Sequence, residues 1–132
     1  MSKASLAAVG CVALVLAACG GGGRLSQKAL QQEAKTVQSL AAEGGILAGD
    51  AARGRATKIF VREQAGFLHK AAASSVQKLE RAGNAGALSA LAARVRDELD
   101  RLSRSGGDGA QQRRLGLELT RAAHAAARLG KS

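Results

Sequence analysis

The stretch "LSALAARVRDELDRL", Leu88 to Leu102, places leucine or valine at 88, 91, 95, 99 and 102. Steps of three and four residues put these side chains on one stripe of an α-helix, where a strand would alternate in and out. The residues between them include Arg94, Arg96, Asp97, Glu98, Asp100 and Arg101, with Arg104 just beyond. Charges of both signs at helical spacing read as a solvated face. On that face Asp97, Glu98 and Asp100 are expected to be ionised partners of the arginines.

The same pattern extends outward in both directions. Upstream, "AGNAG" at 82–86 breaks the helix; downstream, "SGGDG" at 105–109 ends it. A further segment starts at an Asp108 cap and carries Leu115, Leu119, Ala122, Ala126 and Leu129. Before the central stretch lies a long segment, roughly Ala48 to Ala82. Its stripe runs through Ala51, Gly54, Val61, Ala65, Leu68, Ala72, Val76 and Leu79, and Phe60 and Phe67 widen the same arc. The first segment opens at a Ser26 cap, with Leu25 stapled to Leu30, and its stripe is Leu30, Ala34, Val37 and Ala41. Gly44-Gly45 ends this segment, or bends one helix made of both.

No segment alternates as a strand does. The expected fold is therefore all-α: a small, Ala-rich antiparallel bundle of three or four helices joined by short loops. Val95, Leu99 and Leu119 are expected in its core. The chain has no proline, tryptophan or tyrosine and only two phenylalanines. Without aromatic volume the helices must meet through alanine and leucine.

The N-terminus is different in kind. Lys3 precedes an apolar run from about Ala4 to Ala18, which is the organisation of a signal peptide and is short of a membrane span. The run ends in Leu16-Ala17-Ala18-Cys19. This tetrapeptide resembles the lipobox of bacterial lipoproteins: an aliphatic residue, two small residues and a cysteine. The resemblance implies S-diacylglyceryl and N-acyl groups on Cys19, with cleavage after Ala18. Cys11 would leave with the signal segment, and a lipidated Cys19 forms no disulfide. Gly20 to Gly23 then read as a flexible tether. The expected organisation is a signal peptide at 1–18, a lipidated cysteine and tether at 19–24, and a helical domain at 25–132. The expected location is the bacterial cell envelope, on the extracytoplasmic side of a membrane.

The formal charge is +10, which favours polyanionic partners. At 100° per residue, Arg55, Lys58, Arg62 and His69 fall on one side of the long segment. Arg114, Arg121 and Arg128, with His124, share the face opposite the last leucine stripe. Both stripes are candidates for binding anionic lipid or envelope polymer. Nucleic acid is not an expected partner, because no stacking aromatics and no recognised binding motif accompany the charge.

Catalysis is not expected either. No nucleophile stands beside a base, and no phosphate-loop, zinc-protease or serine-hydrolase motif occurs. No metal site and no cofactor are expected, since His69 and His124 lack further ligands nearby in sequence. The function expected is non-enzymatic: an anchored envelope lipoprotein that binds a partner protein or an anionic polymer, or acts as a spacer. The alternative is a small helical carrier or sensor that holds haem, metal or an apolar ligand between helices.

Overall fold

The computed structural model describes residues 23–131. Four helices follow one another: α1 Gln27–Ala52, α2 Lys58–Ala82, α3 Gly86–Ser103 and α4 Gly109–Lys131. They form an antiparallel bundle in which each helix packs on its neighbours in the order α1, α2, α3, α4 and back to α1. The largest interfaces are α1 with α4 and α2 with α3. Across the centre α1 touches α3, whereas α2 and α4 do not meet. The expected signal segment at 1–18, Cys19 and the first glycines of the expected tether lie outside the described residues. No helix among the described residues is long and apolar enough to cross a membrane.

Local chemistry sets the helix ends. Ser26 Oγ accepts from the Ala29 amide at 3.1 Å, and Thr57 Oγ1 from the Phe60 amide at 3.1 Å. Asp108 Oδ1 accepts from the Gln111 amide at 3.0 Å and opens α4, as expected from the sequence. Each bond satisfies an amide that a helix start leaves without a partner. Gly83 ends α2 in the left-handed region, with φ at 72°, where a side chain would be strained. The turn into α4 is fastened from within. Gln112 Nε2 donates to Ser105 Oγ at 3.1 Å and to the Gly106 carbonyl at 2.9 Å.

The break between the first two helices is not where the glycine pair suggested. α1 runs unbroken through Gly44-Gly45 to Ala52, and α2 starts only at Lys58. Gly44 is buried in the α1 stripe: a Cβ there would come within 2.6 Å of Leu99 Cδ2 and 3.2 Å of Leu119 Cδ1. These glycines serve packing, not termination. The chain turns at 53–57, where Gly54 takes φ of 71° and Thr57 caps the next helix. Gly54 belongs to this turn and not to the α2 stripe, whose next apolar member, Val61, stands two turns further on.

The core contains only alanine, valine and leucine. Its fully enclosed large side chains are Val37, Leu68, Leu79, Val95, Leu99, Leu102, Leu115 and Leu119. Residues this small fill a bundle only if the helix backbones come close. Between α1 and α4 they do: a Cβ on Gly116 would lie 3.4 Å from Ala48 Cβ and 3.5 Å from the Gly45 carbonyl oxygen. A Cβ on Gly130 would lie 3.4 Å from Ala34 Cβ, so the close seam extends along most of both helices. Phe60 and Phe67, placed on the apolar arc by sequence, are exposed at 53% and 67%. On a helical projection they sit about 100° or more from the centre of the α2 stripe, too far round to enter so narrow a core.

Leu99→Asp should abolish the cooperative melt followed by circular dichroism, since it buries a charge with no partner. Gly66 faces open space within α2, so Gly66→Ala should stabilise the chain by about 0.5–1 kcal/mol through helix propensity. Gly44→Val should destabilise it by about 1–3 kcal/mol, the cost of overpacking Leu99 and Leu119. Urea midpoints of the two glycine variants, moving in opposite directions, check the packing role of Gly44.

Candidate functional site

A groove of about 570 Å³ runs between α3 and α4. α3 contributes Arg94, Asp97, Glu98 and Arg101, which its 3.6-residue period brings to one side. α4 contributes Glu118 and Arg121 from the opposite wall. Ala90 and Ala93 leave the upper part wide. The volume falls in the range of small-molecule sites.

Glu98 is the unusual member. It is 4% exposed, and its Oε2 is buried without a hydrogen-bond partner. The ion pairs among the described residues are Lys78–Glu33, Arg96–Asp97 and Arg104–Asp100, and none involves Glu98. Burial first, and then the Glu118 carboxylate, raise its pKa from 4.5 to about 7. Arg94 and Arg101 pull the other way and do not restore the ordinary value. The expected ionised partner of arginines is thus a carboxyl poised to change charge near neutrality, which corrects the reading of the whole α3 polar face as solvated. A signal was present in the sequence: Leu91, Val95, Glu98 and Leu102 follow steps of four, three and four, so Glu98 stands on the apolar side of the helix.

Contrast Glu33, which is also buried, at 7% exposure. It lies 3.4 Å from Lys78 Nζ and links α1 to α2. A buried carboxylate with a cation needs no other explanation. Glu98 has no such partner.

The basic stripes are rearranged. Arg55 lies in the α1–α2 turn, so it does not continue a helical row with Lys58 and Arg62 on α2. His69 is drawn inward: its Nδ1 donates to the Arg96 carbonyl oxygen at 3.0 Å and ties α2 to α3. Arg114, Arg121 and Arg128 do form an exposed row along α4, one residue every seven, with His124 exposed nearby. That spacing places the guanidinium-bearing residues about 10 Å apart along the axis. His69 and His124 sit on α2 and α4, which do not meet, so the fold does not bring them together. Among the described residues no group of three or more His, Cys, Asp or Glu side chains is arranged to hold a metal ion.

A second groove, about 450 Å³, lies over the close seam of α1 and α4. Its floor is Gly45, Gly49 and Gly116, and the exposed Ile46 and Leu117 flank it. It exists because glycine at these positions leaves no side chain to fill the surface.

No family model, curated protein or solved structure matches the chain.

Between pH 4.5 and about 7, folded Glu98 holds a proton that the unfolded chain has released. Its contribution to stability is therefore complete below pH 4.5 and is lost as pH rises through about 7. The loss should amount to about 2 kcal/mol, given 1.36 kcal/mol per pKa unit and partial access of water. Glu98→Gln removes this group's dependence. The stability difference between variant and parent should therefore shift in favour of the variant from about pH 4 to about pH 8, measured by urea denaturation at each pH. Parallel curves would place Glu98 in an ordinary carboxylate environment.

Proposed function

We propose that the chain is a lipid-anchored envelope lipoprotein whose helical bundle has a non-enzymatic binding role. The observation that carries this reading is Leu16-Ala17-Ala18-Cys19, set behind Lys3 and an apolar run and ahead of Gly20 to Gly23. Cys19 would carry the diacylglyceryl and N-acyl groups. At about 0.8 kcal/mol per buried CH₂, two or more chains suffice for stable attachment to a membrane.

The start of the bundle suits a tethered domain. Asn84, in the α2–α3 turn, binds Leu25 on both sides: Oδ1 accepts from the Leu25 amide at 3.2 Å, and Nδ2 donates to its carbonyl at 3.0 Å. Leu25 is thereby fixed to the bundle at the start of the described residues. The binding face in this reading is the arginine row of α4, Arg114, Arg121 and Arg128. Exposed arginines without carboxylate partners attract phosphate-bearing surfaces, and the attraction weakens over a Debye length of about 8–10 Å at physiological salt. Such a face would meet anionic lipid or envelope polymer. Arg55, Lys58 and Arg62 extend the basic character of the bundle at the α1–α2 end.

Intact mass of membrane-extracted protein should match residues 19–132 plus acyl chains, and Cys19→Ala should lack them. An unmodified full-length mass in the soluble fraction would overturn the anchor. Reversing Arg114 and Arg128 to Glu leaves the α3–α4 groove intact and should weaken sedimentation with anionic vesicles about tenfold at low salt. Equal sedimentation would show that the α4 row is only a solvated face.

A further inference from the structure

The α3–α4 groove brings together two kinds of unmet demand. Glu98 Oε2 is buried and lacks a donor. Facing it from α4, Glu118 adds a second carboxylate to the same groove. Two carboxylates that share a site favour a cation between them. Around them stand Arg94, Arg101 and Arg121, none of which forms an ion pair among the described residues. A guanidinium presents a planar fork of donors that matches a carboxylate or phosphate.

Neither half of this arrangement is served by a simple ion. A free anion on the arginines would sit beside Glu98 and Glu118 and would leave Glu98 Oε2 without a donor. A free cation on the carboxylates would be repelled by three guanidiniums. A molecule that carries an ammonium and an anionic group a few ångströms apart complements both charges of the groove.

We propose that the groove between α3 and α4 binds a small zwitterion, its ammonium held by Glu98 and Glu118 and its anionic group by Arg94, Arg101 and Arg121. The groove volume of about 570 Å³ suits a small polar molecule rather than a folded partner. This inference goes beyond the anchored-lipoprotein reading and does not depend on lipidation of Cys19. Two sources share the chemistry: a free amino acid, with a carboxylate, and a phosphoethanolamine group, with a phosphate.

The test is isothermal titration of the full-length chain in detergent at about pH 8, where Glu98 is ionised. The probes are L-alanine, O-phosphoethanolamine and the two half-ligands, inorganic phosphate and ethanolamine. At least one zwitterion should bind about tenfold more tightly than either half-ligand, a difference of about 1.4 kcal/mol. Preference for L-alanine would identify an amino-acid site, and preference for O-phosphoethanolamine a headgroup site. Glu98→Gln should weaken the zwitterion about tenfold and leave phosphate binding no weaker. Glu118→Gln, at a less buried position, should act in the same direction without touching the interior. Circular dichroism melts establish that both variants fold. Zwitterions that bind no better than phosphate, or an affinity indifferent to both substitutions, would overturn the proposal.

Discussion

The structure depends on how closely α1 and α4 approach. A chain with two phenylalanines and no larger ring cannot fill a wide bundle. It can fill a narrow one, because dispersion and apolar burial act over contact distances and small residues allow contact along a whole seam. Gly45, Ala48 and Gly116 in the middle, and Ala34 with Gly130 near one end, supply that seam. Once it closes, Leu99 and Leu119 meet over Gly44, and the centre of the bundle is occupied. The cost is surface. A glycine seam leaves a groove on its outer side, and a core this narrow has no place for Phe60 or Phe67, which remain exposed.

Three of the polar side chains that reach the interior have partners. Glu33 meets Lys78, Ser105 donates to the Leu102 carbonyl oxygen at 2.7 Å, and Gln112 meets Ser105 and Gly106. The first ties α1 to α2, and the others fasten the α3–α4 turn. Glu98 departs from the pattern. A natural bundle with this little apolar area to spare tolerates an unpartnered carboxyl only at some expense in stability, because an unmet buried acceptor is destabilising. Its place in the lining of a charged groove is what directs attention to a ligand. The same groove explains why the carboxyl retains a proton near neutrality: water is largely withdrawn, and Glu118 opposes a second negative charge.

The groove is separate from the N-terminal end of the bundle. Asn84 clasps Leu25 at the start of the bundle, while the groove opens along the side formed by α3 and α4. The basic row of α4 borders the groove through Arg121. Arg121 thus belongs both to an exposed electrostatic face and to a defined cleft. A polyanion and a small zwitterion would meet it in different ways, the first through summed charge and the second through geometry.

Helix type and most core positions were legible in the chain itself, because apolar spacing at three and four residues is a local property, whereas the count was left at three or four. So were the Ser26 and Asp108 caps and the breaks at 82–86 and 105–109, where glycine and polar side chains act on backbone a few residues away. The lipobox resemblance is likewise a matter of contiguous residues. Only the tertiary structure decided that Gly44-Gly45 is packing rather than a helix end, because its partners are Leu99 and Leu119, more than fifty residues away. Only the tertiary structure drew His69 onto the Arg96 carbonyl and left the phenylalanines outside. Glu98 lies between the two cases: its place on the α3 stripe can be read from spacing, but its want of a partner depends on which side chains α4 brings opposite. Periodicity tells which way a residue faces along its own helix. What it faces depends on the distance and register of another helix, and those are set by packing over the whole bundle.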